Sequence, residues 1–157
     1  MERINYGRLL LGGLLAGFVA KLLQFTVNRL YLFRSWDTAN GTLGLPMAGR
    51  SEHLRGFLLA IMTFVGSIFA VWLYAMIRSR FGSGPKTAAL AGGVFWLLSW
   101  LFPVVMWSLS GPFPALPLWL LATHLTTYLG IAVAATMLGT WPYKEYDTQE
   151  PRLLPKV

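Results

Sequence analysis

Four long apolar segments occupy most of this 157-residue chain and constrain its fold more than any other feature. They run approximately over residues 9–33, 56–77, 87–108 and 117–140. Each holds about 22 to 25 residues, and a helix of that length, rising ~1.5 Å per residue, crosses the ~30 Å hydrocarbon core of a bilayer. The last three segments contain no Asp, Glu, Lys or Arg. We therefore predict an all-α integral membrane protein, folded as a four-helix bundle.

Composition favours membrane-spanning helices over the buried helices of a soluble protein. Hydrophobic residues make up 55% of the chain and charged residues 12%, whereas a soluble domain averages about 25% charged residues. The first segment starts like a signal peptide, but Phe18-Val19-Ala20 lacks the small residue needed at its first position, so we expect the segment to be retained. The absence of cysteine excludes disulfides, cysteine-ligated iron–sulfur clusters and thiol nucleophiles.

The basic residues are distributed unevenly between the two sides of a four-pass topology. Eight fall on one side: Arg3, Arg8, Arg78, Arg80, Lys86, Lys144, Arg152 and Lys156. Three fall on the other: Arg34, Arg50 and Arg55. The positive-inside rule then places both termini in the cytoplasm. We interpret the net positive charge as a sign of membrane topology and not as a nucleic-acid-binding surface. We divide the chain into a transmembrane domain, 1–143, and a polar tail, 144–157.

Small and polar residues form a stripe on one face of the first segment. At 100° per residue, Gly13, Gly17, Lys21, Gln24 and Asn28 lie within about 80° of arc. The two glycines would let another helix approach closely. A lysine in hydrocarbon costs several kcal/mol unless it is paired, wetted or functional. The stripe should therefore face protein, water or a cofactor, although Lys21 could also snorkel toward the surface along its own stem.

Depth counting suggests a neighbour for Lys21. Counted from Arg8 at the inner edge, Lys21 lies ~19 Å into the hydrocarbon, which is about 11 Å below the outer surface. Counted inward from Pro117, His124 lies about 10 Å below the same surface. The first and fourth segments would then bring these residues together. The expected outer-half polar cluster consists of Lys21, Gln24, His124, Thr127 and Tyr128.

His124 and the tryptophans of the third segment are the candidate cofactor-binding residues. A lone helical histidine is either packed against a carbonyl or threonine, a ligand of haem or a chlorophyll-type pigment, or a proton relay. Trp96 and Trp100 lie on an aromatic stripe with Trp107, interrupted by Pro103, which we expect to kink the helix. The stripe either packs against lipid and protein or forms a pigment-contacting wall. We predict no metal site.

Two stretches resemble a family of small bacterial four-helix membrane proteins. They are residues 5–19, NYGRLLLGGLLAGFV, and 72–87, WLYAMIRSRFGSGPKT. The resemblance implies the four-helix membrane fold and a place in a bacterial inner membrane, but no particular activity. Members of the family have asparagine and glutamate at the positions of Lys21 and Gln24, while Asn28 matches. The resemblance therefore implies that a basic stripe has replaced an acidic one, which favours an anionic or carbonyl-bearing partner over a cation.

The residues favour a non-catalytic function. The apolar segments hold no carboxylate pair and no serine–histidine–acid set. We predict an accessory or structural subunit of a larger membrane complex, such as a bioenergetic or photosynthetic assembly, that contacts other membrane subunits and lipid or pigment. The alternative is a small oligomeric transporter or channel that uses Lys21, Gln24 and Asn28 as its polar path and self-associates through Gly13 and Gly17. A third possibility is a protein that binds haem or chlorophyll in its own right.

Overall fold

The computed structural model describes residues 5–32, 34, 51–110 and 117–143, and the predicted tail therefore lies outside the described residues. Of the described residues, 93% are helical and none forms a strand, which confirms the all-α prediction. The α-helices are α1 (Tyr6–Val27), α2 (Ser51–Phe81), α3 (Pro85–Trp96), α4 (Phe102–Ser110) and α5 (Leu118–Thr140).

Among the described residues, four helical stretches are long and apolar enough to cross a membrane. We name them span 1 (Tyr6–Leu32), span 2 (Gly56–Phe81), span 3 (Pro85–Met106) and span 4 (Leu118–Thr140). Their ends agree with the four predicted segments to within four residues. Span 1 continues α1 through a π-helical turn, Asn28–Leu32. Span 3 joins α3 to α4 through a second π-helical turn.

The helix ends follow from local sequence. Asn5 caps α1, because its side-chain oxygen accepts the Arg8 backbone N–H at 3.1 Å and so satisfies one of the unpaired first-turn amides. The turn between α2 and α3 uses Gly82 at φ +80°, a conformation that favours glycine. Thr87 Oγ1 donates to the Gly82 carbonyl at 2.8 Å, and Pro85 starts α3 at a position where its missing N–H is harmless. Spans 2 and 3 are thereby joined as a tight hairpin.

Pro103 explains the irregular middle of span 3. In a regular α-helix the proline ring would clash with the carbonyl of Ser99, and the proline has no N–H to donate. The preceding turn, Leu97–Leu101, widens into a π-helix in which the Phe102 N–H bonds to the Leu97 carbonyl, five residues back. The expected disturbance at Pro103 therefore takes the form of a π-helical turn.

The four spans pack in a ring in which each contacts its sequence neighbours and span 1 also contacts span 4. Leu9, Tyr74, Ala88 and Tyr143 belong to one core cluster, which brings the start of span 1 beside the end of span 4. We call this the near end. Leu32 and Leu120 pack together at the opposite end, which we call the far end. Neighbouring spans are therefore antiparallel.

Glycines bring the spans into close contact in the near half. A Cβ atom built on Gly13 would lie 2.6 Å from the Ile68 Cα, and one built on Gly17 would collide with the Phe64 ring. A Cβ on Gly92 would lie 2.9 Å from the Ala132 carbonyl oxygen. Gly13 and Gly17 thus form the expected small-residue interface. They form it with span 2 of the same chain, so they are not exposed to a second copy, contrary to the predicted self-association.

Candidate functional site: a cavity beside an aromatic cluster

Three aromatic side chains form a compact cluster in the far half of the structure. His124 and Tyr128, four residues apart on one face of α5, stack with ring centroids 4.2 Å apart and planes inclined by 25°. The Trp100 ring lies 4.2 Å from the Tyr128 ring and 5.3 Å from the His124 ring. Each such pair contributes about 0.5–1.5 kcal/mol beyond its buried area. We call these residues the aromatic cluster.

Two hydrogen bonds tie the aromatic cluster region to neighbouring spans. Asn28 Nδ2 donates to Tyr128 Oη at 3.3 Å and so joins span 1 to span 4. Trp96 Nε1 donates to the Leu125 carbonyl at 3.0 Å and joins span 3 to span 4. The Trp96 indole is therefore held by the backbone of span 4, and its polar edge does not face the cavity described next.

A cavity of about 190 Å³ lies between the four spans, and all four contribute to its wall. Apolar residues such as Ala20, Phe95, Ile131 and Ala132 form much of the wall, with Trp100 of the aromatic cluster on one side. None of its described lining residues is charged. Seven lining residues carry hydrogen-bonding groups in their side chains: Gln24, Thr63, Ser67, Ser99, Trp100, Tyr128 and Thr136.

The cavity opens sideways between spans 2 and 3. Leu59 and Met62 of span 2 line it and are 54% and 59% exposed, and Ser99 of span 3 lines it and is also exposed. The opposite wall, formed by residues such as Ala20 and Ala135, is buried. A molecule could therefore enter through the side of the structure without passing either end.

The hydroxyl groups in the wall differ in what they bond. Thr63, Ser99 and Thr136 donate to carbonyls of their own helices at 2.8, 2.7 and 2.7 Å, as helical hydroxyls usually do. Ser67 is only 6% exposed, and it makes no hydrogen bond to any described residue. The Gln24 amide likewise has no partner within the described ranges. Ser67 and Gln24 therefore keep hydrogen-bonding capacity that a molecule in the cavity could use.

The structure brings together only part of the predicted polar cluster. Gln24 and Tyr128 share the cavity, and Asn28 reaches Tyr128 directly. Thr127 is half-buried and does not line the cavity. His124 belongs to the aromatic cluster.

The predicted proximity of Lys21 and His124 is wrong. Ala20, next to Lys21, packs against Ile131 and Ala135 of span 4, and the Asn28–Tyr128 bond lies further toward the far end. In this register Lys21 lies roughly 10 to 16 Å along the helix axis from the level of His124. The depth count failed because span 1 runs on to Leu32, which packs beside Leu120. Lys21 is half-buried and has no hydrogen-bond or ion-pair partner among the described residues.

The sequence argument missed four hydroxyl-bearing residues of the cavity wall: Thr63, Ser67, Ser99 and Thr136. A signal existed on span 2, where Thr63, Ser67 and Ala70 are small or polar and recur at spacings of four and three residues, which places them on one helix face. Span 3 carried no comparable pattern. Ser99 lies within the π-helical turn, where the regular spacing of residues on one helix face does not apply.

Comparisons with protein-family models, with curated proteins and with solved structures found no match for this chain. The functional argument therefore depends on the geometry of the chain itself.

Proposed function

We propose that this chain is a multi-pass protein of a bacterial inner membrane and a non-catalytic accessory subunit of a larger membrane complex. The observation that carries the proposal is Lys21. At ~1.5 Å per residue it lies about 16 Å from the Leu32 end of span 1, and since this 27-residue span is about 10 Å longer than the ~30 Å hydrocarbon core, Lys21 lies about 11 Å below the nearer surface of a centred bilayer. Its stem, which reaches about 6 Å, is too short to bring the ammonium group to either membrane surface from this depth.

Lys21 needs a partner that the described residues do not supply. It lies at the edge of the packed face of span 1, beside Phe18, Leu22 and Phe25, which are 62%, 55% and 70% exposed. An ammonium group in hydrocarbon costs several kcal/mol, and such residues usually pair with another polar group inside the membrane. A carboxylate or carbonyl on the helix of a second membrane protein would supply that group.

The cavity supports a non-catalytic role. Its described lining residues include no carboxylate, lysine or histidine that could act as a general acid or base near neutral pH. His124 packs against the Trp100 and Tyr128 rings and does not line the cavity, so we do not propose that it ligates haem or pigment. Nor do we propose transport, because Lys21 is not among the residues that line the cavity and Gly13 and Gly17 pack within the chain.

The accessory role can be tested by isolating the complex from native membranes in a mild detergent. We expect the wild-type chain to migrate with a second membrane protein, and a photoreactive amino acid at Phe25 to cross-link to a helix of that protein. Lys21→Leu should release the chain as a monomer, whereas Lys21→Arg, which keeps the charge, should retain the complex. Lys86→Leu, which removes a positive charge at the near end, is the matched control and should also retain it. A wild-type chain that purifies as a monodisperse monomer would disprove the proposal.

We infer that the near end faces the cytoplasm, with both termini on that side, because the hairpin between spans 2 and 3 is rich in Arg and Lys. The chain contains no cysteine, so a single introduced cysteine is a unique label. A membrane-impermeant maleimide should label Leu118→Cys, at the far end, in intact cells. It should label Ser83→Cys, in the hairpin turn, only after permeabilisation. The reverse pattern would invert the orientation.

A further inference from the structure

We propose that the cavity binds one neutral lipophilic molecule whose polar part is a quinone-type ring, held by hydrogen bonds from Ser67, Gln24 and Tyr128. This binding site is separate from the Lys21 surface, and it does not depend on the accessory role proposed above. Four features carry it: the size of the cavity, the absence of charge, the hydrogen-bond donors left over in its wall, and its lateral opening.

The volume matches one substituted ring. The cavity measures about 190 Å³, and an apolar protein cavity of ~150 Å³ accommodates benzene. Phe95 and Trp100 line it with flat aromatic faces, while Ile131 and Ala132 add aliphatic surface. A planar ring with small substituents therefore fits, and a phospholipid head group does not.

The lack of charge selects a neutral ligand. No described lining residue is acidic or basic, and an ion transferred from water into such surroundings would lose its hydration without gaining a counter-charge. Inorganic ions and phosphorylated molecules are therefore poor ligands.

Several wall residues keep donor hydrogens that bond to no described residue, beside the hydroxyl and amide oxygens of the wall, which can only accept. Ser67 O–H has no partner among the described residues. Tyr128 is 8% exposed, and since its oxygen accepts from Asn28, its own hydrogen remains to be donated. The Gln24 amide adds two further N–H groups. The hydrogens of the other wall hydroxyls are already bonded to backbone carbonyls. The ligand should therefore contribute acceptors, as carbonyl oxygens do.

These donors lie toward opposite ends of the cavity. Ser67 follows Gly66, which packs against the Phe95 ring. Gln24 and Tyr128 lie closer to the far end, near the Asn28–Tyr128 bond. The wall between them includes apolar residues such as Ala20, together with the Thr63 hydroxyl, whose hydrogen is bonded within its own helix. A ring with carbonyl groups on opposite sides presents an acceptor toward each set of donors while burying an apolar body, whereas a molecule with one terminal polar group presents acceptors to one set only.

The lateral opening suits a hydrocarbon tail. It is bordered by Leu59 and Met62, and the neighbouring far half of span 2 exposes Phe57 and Leu58 by 62% and 49%. The ring can enter from the hydrocarbon while its tail stays along this apolar surface. The expected ligand class is thus a quinone with a prenyl or alkyl tail.

Decylubiquinone is a suitable probe, because a quinone bound beside Trp100 should quench tryptophan fluorescence. We expect saturable quenching of the purified full-length protein in detergent, and loss of most of the quenched signal in Trp100→Phe. Removing one donor, in Ser67→Ala or Gln24→Leu, should weaken binding roughly 3- to 10-fold. Ser79→Ala removes an exposed hydroxyl outside the cavity, and should bind as the wild type does.

Decylbenzene, which has the same tail and a ring without carbonyls, is the control ligand. It should not displace the quinone at equal concentration. Displacement by decylbenzene, or unchanged affinity in Ser67→Ala and Gln24→Leu, would show a merely apolar site and overturn the proposal. The absence of saturable quenching would show a cavity that holds only water or lipid chains, and would overturn it too. Should Ser67→Ala fail to run as a single species on size exclusion, Tyr128→Phe provides the same test.

Discussion

Replacing Gly139 with alanine should separate spans 1 and 4 and destabilise the fold. Gly139 lies in the near half of α5, against α1. A methyl group at this position would lie 2.5 Å from the Ala16 Cβ and 2.6 Å from the Gly12 carbonyl oxygen. Ordinary contacts of a Cβ atom measure 3.4–4 Å. Because Ala16 has no rotamer to change and the carbonyl is part of the helix backbone, the two helices must move apart by about 1 Å.

The expected loss of stability follows from two opposing terms. Overpacking of this kind typically costs about 1–3 kcal/mol, whereas alanine in place of a helical glycine gains up to about 1 kcal/mol. Gly130→Ala isolates the second term, since Gly130 is on the same helix and a Cβ there would meet no atom within 4 Å. At about 2–4 °C per kcal/mol for a chain of this size, the overpacking cost should place the midpoint of Gly139→Ala roughly 2 to 12 °C below that of Gly130→Ala.

The midpoints can be measured by heating the detergent-solubilised variants and quantifying the monodisperse fraction by size exclusion. Gly130→Ala should match the wild type or exceed it slightly. Adding Ala16→Gly to Gly139→Ala removes one of the two collisions and should recover part of the loss. Equal midpoints for Gly139→Ala and Gly130→Ala would refute the close contact between spans 1 and 4, and with it the register from which the level of Lys21 was inferred.

Three further substitutions test contacts between or beside the spans, the first two by the same thermal assay and the third by limited proteolysis. Tyr128→Phe removes the oxygen that accepts the hydrogen bond from the Asn28 side chain. The free energy of unfolding should fall by about 0.6 kcal/mol, the average for such bonds within membrane proteins. An unchanged midpoint would show that this bond does not stabilise the fold. Trp96→Phe removes the bond from the indole to the span 4 backbone and should cost about 1 kcal/mol, and a neutral result would contradict that bond. Thr87→Val removes the hydroxyl that closes the hairpin turn between spans 2 and 3, and the loss should appear as faster proteolysis at that turn.

The sequence predicted the helices well because their signal is local. A run of apolar residues long enough to span a bilayer does not depend on what it packs against, and the four predicted segments agree with the observed spans to within four residues. Asn5 and Pro85 are equally local signals, since each caps or starts a helix through its own backbone chemistry. The tight Gly13 and Gly17 interface was also visible as a pattern, but the identity of the packed helix was not.

The site was harder to predict because it depends on register between spans. Counting residues inward from Arg8 and from Pro117 assumed that both helices reach the same surface at those points. The helices begin and end a few residues away from these assumed positions, so Lys21 lies well away from His124. Asn28, and not Lys21, is the span 1 residue that reaches the aromatic cluster. Ser67 was missed for a related reason. Its hydroxyl makes no hydrogen bond to any described residue, and this depends on how the spans pack, which the sequence does not show.

The position of the cavity nevertheless has a cause in the order of small and large residues along the spans. In the near half, Gly13, Gly17 and Gly92 let backbones and side chains meet closely. Toward the far half, Trp100 and Tyr128 replace them and hold the helices apart. The cavity lies where the small residues of the near half give way to the bulky rings of the far half, and its wall includes Ser67, Gln24 and Tyr128, which keep hydrogen-bonding groups that the neighbouring spans do not use.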